Sequence, residues 1–231
     1  MAKKQTEKQA DKNLEGIEQA LTRSEQFIED NQKVLTYVLG GLILVLLIVI
    51  AGNRYYLKPL NEKASAEMFY AERFFEIDSF NLALNGYGTY PGFLNIIDDY
   101  GITRSARLAR YYAGVCCHQT GDYQEAIRYL GKFKTKDLLI GAAQYSTLGD
   151  AHVELGNLEK AADAYRNGID KFENNFSSPI LLKKLGIVYE EMGDLDNALE
   201  TYRTLDSRYP ESPEGREIKK YIGRVESKMI L

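Results

Sequence analysis

Two stretches, 148-LGDAHVELGNLEKAADAY-165 and 185-LGIVYEEMGDLDNALETY-202, decide how this chain reads, because they are one unit written twice. In each, the glycine of a Leu-Gly pair is followed by a second glycine seven residues on, an alanine twelve on and a tyrosine sixteen on. The same spacing runs upstream from Gly114 through Gly121, Ala126 and Leu130, so the lead glycines stand 35 and 37 residues apart. Such residue types at such intervals describe two packed helices and the turn between them. The lead glycine and the alanine let helix backbones approach, where larger side chains would hold them apart. The second glycine suits the left-handed conformation that ends a helix. Asp122, Asn157 and Asp194 follow at once, with side chains suited to capping the amides of the next helix. Ser178-Pro179 and Ser212-Pro213 put a cap and a proline at later helix starts.

The unit agrees with the tetratricopeptide repeat, a helix-turn-helix of about 34 residues whose pattern holds a Leu-Gly pair, a tyrosine, an alanine and a later proline. Leu148-Gly149, Leu185-Gly186, Tyr189 and Pro210 supply those parts, while Cys117 and His152 stand in the tyrosine slot. The fold class expected is therefore all-α, a single transmembrane helix followed by a repeat solenoid with a C-terminal capping helix. Residues 107–211 hold three repeats. Residues 53–106 hold a linker and a degenerate first repeat, with a helix over Asn61 to Asp78 and a short one over Phe93 to Tyr100, where Gly101 ends it and Thr103 caps the next. The stretch 81-NLALNGYGTYPG-92 breaks the pattern with three glycines and a proline. Its Tyr87 and Tyr90, with Phe93, are either exposed anchors for a partner or packing for neighbouring helices. Residues 212–231 form the cap, which covers the apolar end that a solenoid otherwise exposes.

Toward the N-terminus, Val34 to Gly52 carries no charge, and thirteen of its nineteen residues are Val, Leu or Ile. As a helix it is about 28 Å long, close to the ~30 Å hydrocarbon core of a bilayer. Insertion is favourable by at most about 4 to 8 kcal/mol. Tyr37, Tyr55 and Tyr56 lie near its ends, where such rings favour the headgroup zone. A cleaved signal peptide is the rival reading, with Val49 and Ala51 as its small-residue site, but the apolar run is too long and 33 residues precede it. Residues 1–33 form a charged tail in which Leu14, Ile17, Leu21 and Ile28 fall at helical spacing, so an amphipathic helix leads into the span.

Composition narrows the function. Beyond the span, 23 Lys and Arg face 26 Asp and Glu, a net charge of −3 that leaves no basic field for nucleic acid. Cys116 and Cys117 are adjacent and cannot staple distant segments, so they read as small apolar packing. There is no phosphate-binding loop, nucleophile elbow or metal-spaced Cys/His cluster. The acidic pairs Asp98-Asp99 and Glu190-Glu191 read as solvated helix surface. The chain is expected not to be an enzyme, and to need no cofactor or metal.

Resemblance to tetratricopeptide proteins implies binding by an inner groove lined with the first helix of each repeat. The groove residues implied are Met68 and Phe75; Tyr111, Val115 and His118; Ser146, Asp150 and Glu154; and Lys183, Ile187 and Glu190. The layout of charged tail, single span and repeats also resembles a bacterial inner-membrane family, the ancillary subunit of the Sec translocon. The stretches 81-NLALNGYGTYPGFL-94 and 103-TRSARLARYYAG-114 look like those of anchored repeat proteins of the Bacteroidetes. That resemblance implies a periplasm-facing adaptor with a cytoplasmic N-terminus, whose partners are translocon subunits, periplasmic chaperones or emerging chains. The alternative is a cytoplasm-facing scaffold that self-associates through Leu14 to Ile28 or the span; a mitochondrial import receptor shares the same plan. Arg23 and Lys33 on one side against Arg54, Lys58 and Lys63 on the other leave the positive-inside count almost tied.

Overall fold

A computed structural model describes residues 30–230 of the chain. The amphipathic stretch Leu14 to Ile28 lies outside the described residues. The chain divides into two compact units, 1–58 and 59–231.

In the first unit, α1 (Gln32–Gly52) is followed by a π-helical turn over Asn53–Leu57. No residue of α1 is buried, and its Val, Leu and Ile side chains all stand exposed. The helix is long and apolar enough to cross a membrane.

The second unit opens with α2 (Lys58–Glu76), whose Ala64, Met68 and Ala71 share one buried stripe. A short α3 (Phe80–Asn85) leads into a two-stranded hairpin, β1 (Gly86–Tyr87) and β2 (Tyr90–Pro91), with Tyr87 opposite Tyr90. The helix α4 (Phe93–Asp99) closes this region. Phe93 is fully buried and stacks on Tyr112 at 5.0 Å, and Tyr90 lies 3.9 Å from Tyr70, so these two aromatics pack. Tyr90 still leaves 41% of its surface exposed, and Tyr87 points out, 65% exposed.

Three hairpins follow: α5 (Arg104–Gln119) with α6 (Tyr123–Lys132), α7 (Leu138–Glu154) with α8 (Leu158–Lys171), and α9 (Ser177–Glu191) with α10 (Leu195–Arg208). Finally α11 (Pro213–Ile230) buries Gly215, Ile218 and Val225 against the last hairpin. Thr103 caps α5 by accepting from the Ala106 amide, as expected. Gly121, Gly156 and Gly193 have φ of 83°, 71° and 76°, the left-handed geometry the spacing called for. Asp122 and Asp194 cap the helices after them, while Asn157 makes no such bond. At α9 the cap is displaced: the Asn174 carboxamide oxygen accepts from the amides of Phe176 and Ser177, and Ser178 turns back to accept from the Asn174 amide. Ser212 does cap α11, through the Gly215 amide.

The lead glycines serve differently from expectation. A Cβ on Gly149 or Gly186 would collide with the ring of Tyr165 or Tyr202, and on Gly114 with Leu130. Each glycine therefore seats the large side chain sixteen residues on, rather than a bare backbone. Two apolar cores result, one from α2 to α5 and one from α7 to α11, joined by the small cluster of Cys117, Ala126 and Ala151.

Cys116 and Cys117 are free and buried. Burial pushes the Cys116 thiol up to about 12 and the Cys117 thiol up to about 11. Because the thiolate is the reactive form, iodoacetamide at mildly alkaline pH is expected to label neither cysteine in the folded protein and both in denaturant. Mass spectrometry reads this out, and rapid labelling without denaturant would show that this core opens.

Candidate functional site

Each first helix of a hairpin touches the first helix of the next: α5 meets α7, α7 meets α9, and α9 meets α11. Second helices make no comparable contact with one another among the described residues. Closer approach on one side than on the other curves the stack, and it places α5, α7 and α9 on the inside.

On that inner side lies a cavity of about 370 Å³. Its walls are Tyr111 of α5, the N-terminal half of α7 from Leu139 to Thr147, and the start of α9 at Phe176, Ser177, Ile180 and Leu181. The lining is apolar apart from the hydroxyls of Tyr111, Ser146, Thr147 and Ser177. Leu139 is 55% exposed and Phe176 73%, so large apolar surface meets water at the mouth. Tyr111 is fixed from behind by Phe133, ring to ring at 5.4 Å.

Two residues implied for the groove, Tyr111 and Ser146, line this cavity. Met68 is 3% exposed in the first core, and Phe75 is half-buried, edge-on to Phe80 and Phe93. Neither lines the cavity. Val115 and Ile187 are half-buried, and Glu154 is exposed at the end of α7. His118 sits in the last turn of α5, edge-on to Tyr123, and neither ring nitrogen has a hydrogen-bond partner among the described residues.

The remaining charged residues tie one repeat to the next. Asp150 accepts from the Tyr165 hydroxyl at 2.6 Å and from Lys184 Nζ at 2.6 and 2.8 Å, while Lys184 also reaches Ser146 at 2.9 Å. Glu190 accepts from the Tyr202 hydroxyl at 2.8 Å, from Arg224 Nε at 3.1 Å and from Lys228 at 3.0 Å. Burial would raise the Glu190 pKa, but the bonds from Arg224, Lys228 and Tyr202 outweigh it and hold the carboxyl below its usual range. Burial first, then the bonds to Asp150 and Glu190, push the hydroxyls of Tyr165 and Tyr202 up, so both remain donors. Lys183 leans the other way, 5.3 Å over the Tyr221 ring and 3.8 Å from Glu217.

Sequence reasoning therefore found the stripe but not its apolar half. Stepping back from Ser146 in threes and fours reaches Ala143 and Leu139, and from Lys183 it reaches Ile180 and Phe176. That continuation was the available signal. Lys184, one residue beside the implied Lys183, had none, because its partners lie on the preceding repeat. Among the described residues no cluster of His, Cys, Asp and Glu could hold a metal ion.

Residues 93–132 and 146–213 match the family model described as the tetratricopeptide repeat. A solved structure titled as the crystal structure of MamA protein superposes with a TM-score of 0.54 at 20% identity, over 72% of this chain and 90% of that one. At that identity the likeness speaks for the fold alone. No curated protein matches the sequence. With the inner groove, the lead-glycine seats and the matched segments together, this chain carries tetratricopeptide repeats, stacked as a solenoid of the kind that binds proteins.

Proposed function

We propose that the protein is a membrane-anchored adaptor that holds segments of partner proteins in its inner groove. The observation that carries this reading is the cavity between α5, α7 and α9, where Leu139 and Phe176 expose apolar surface that the fold itself does not use. Tyr111 and Ser146 contact the partner there, with Val115, Ile187, His118 and Glu154 further along the same stripe. Asp150, Lys183 and Glu190 act by fixing the helices that form the wall.

Residues 34–52 anchor the chain in a bacterial inner membrane, 53–106 link the anchor to the repeats, and 107–211 bind. The layout resemblance supports a periplasmic repeat domain near the Sec translocon, taking translocon subunits, chaperones or emerging chains. Long domains cross largely regardless of flanking charge, so the nearly tied count does not oppose it. That same count, slightly heavier after the span, favours the second reading, a cytoplasm-facing scaffold.

Protease added to intact spheroplasts is expected to remove a C-terminal tag. A photo-crosslinker at Leu139 should trap a discrete partner that is lost in Phe176→Asp, with the circular dichroism melt unchanged. Protection of the tag until lysis would discard the translocon reading. Crosslinks that persist in Phe176→Asp would discard the groove.

A further inference from the structure

We propose that the groove selects partner segments that combine large apolar side chains with carboxylates, an inference that rests on the adaptor reading above. The exposed apolar residues recur at one edge of the groove, at the N-terminal ends of its three helices: Ile102 at 66%, Leu138 and Leu139 at 51% and 55%, and Phe176 at 73%. Unspent positive charge accompanies them. Arg107 stands one helical turn before Tyr111 and Arg104 almost two, which puts both on the face of α5 that meets the cavity. Lys134 and Lys136 lie in the loop that delivers Leu138 and Leu139. None of these four side chains makes a hydrogen bond or ion pair among the described residues.

The acids of the inner helices, by contrast, are mostly occupied. Asp137 holds the amides of Leu139 and Ile140. Asp150 is taken by Lys184 and Tyr165, and Glu190 by Arg224, Lys228 and Tyr202. Glu154 and Glu191 stand exposed and unpaired, but at the opposite ends of α7 and α9. The charge left for a partner at the apolar edge is therefore positive, although the repeat domain as a whole is net negative. An apolar cavity alone would accept any greasy segment. A cationic rim attracts acidic ones and repels basic ones, which is how like-charge contacts set specificity.

The test uses the full chain in phosphatidylcholine nanodiscs and two fluorescein-labelled peptides. Both carry Leu and Phe at the same positions; the others are Asp, Glu and Ser in one and Lys, Arg and Ser in the second. Anisotropy should show the acidic peptide bound about tenfold or more tightly than the basic one at low salt, with the ratio collapsing as screening shortens near 1 M. Arg107→Glu with Lys136→Glu, which removes no hydrogen bond or ion pair among the described residues, should reverse the preference, and Phe176→Asp should weaken both peptides. Equal binding of the two peptides, lost in Phe176→Asp, would overturn the charge selectivity and leave the groove reading standing. Binding of neither would overturn the groove itself. Loss of acidic-peptide binding in phosphatidylglycerol nanodiscs, with no charge preference in phosphatidylcholine, would assign the rim to the lipid surface and overturn the proposal.

Discussion

Tyr202→Ala is expected to cost about 3 to 5 kcal/mol of folding stability, the range for truncating a fully buried aromatic side chain. Tyr202 has no exposed surface, its ring lies in the seat that Gly186 leaves open, and its hydroxyl donates to Glu190. Removing the ring opens a cavity between α9 and α10 that neither helix can close while α11 remains docked against both. Tyr202→Phe isolates the polar part. It keeps the packing and loses one bond to a carboxylate, worth about 1.5 to 3 kcal/mol. Urea denaturation followed by circular dichroism separates the two variants. Equal losses would mean that the hydroxyl, and not the ring, carries this joint.

The opposite fault is expected to be nearly as severe. Gly149→Val puts branched carbon where the Tyr165 ring lies, and overpacking of this kind costs about 1 to 3 kcal/mol. The ring has no free direction of retreat: it is 2% exposed, its hydroxyl is held by Asp150, and Lys184 lies 5.9 Å over its face. A shift large enough to admit the valine would break the Asp150 tie, so loss of the repeat-to-repeat contact should accompany loss of stability. Gly131→Ala is the matching control, since a Cβ there meets open space inside a helix. It should be neutral or gain about 0.5 to 1 kcal/mol through helix propensity. A thermal melt that ranks the two alike would show that the seat under Tyr165 does not constrain the fold.

These two positions also show what could be read in advance. The spacing of Gly149, Gly156, Ala161 and Tyr165 is local, and local rules of turn geometry and small-residue packing act on it directly. The repeats, their turns and the apolar α1 were therefore legible. The identity of the lead glycine's neighbour was not, because the ring of Tyr165 reaches Gly149 only after α7 and α8 fold together. Asn174 displaced Ser178 as the cap of α9 for a similar reason: both residues can accept from the amides, and the course of the loop decides between them. The groove was legible in direction but not in content. Tyr111 and Ser146 fell on the correct stripe, yet the same resemblance implied Asp150 and Glu190, whose cationic partners stand 34 to 38 residues away. Only docking of the next repeat brings Lys184, Arg224 and Lys228 to them. Leu139 and Phe176 were not among the implied residues, since a lone sequence gives no sign that the helix before them leaves a gap.

The ties from Asp150 to Lys184 and from Glu190 to Arg224 and Lys228 also have a mechanical meaning. They fasten successive inner helices from their middles toward their C-terminal ends, whereas among the described residues the edge that carries Leu139 and Phe176 is crossed by no comparable bond. The ties are thus laid out like the pivot of a fan, gathered at one end of the ribs and absent at the rim. On the adaptor reading, spreading the rim would widen the cavity without breaking a charged contact among the described residues, so guests of different girth would be admitted while the spacing of the repeats is kept.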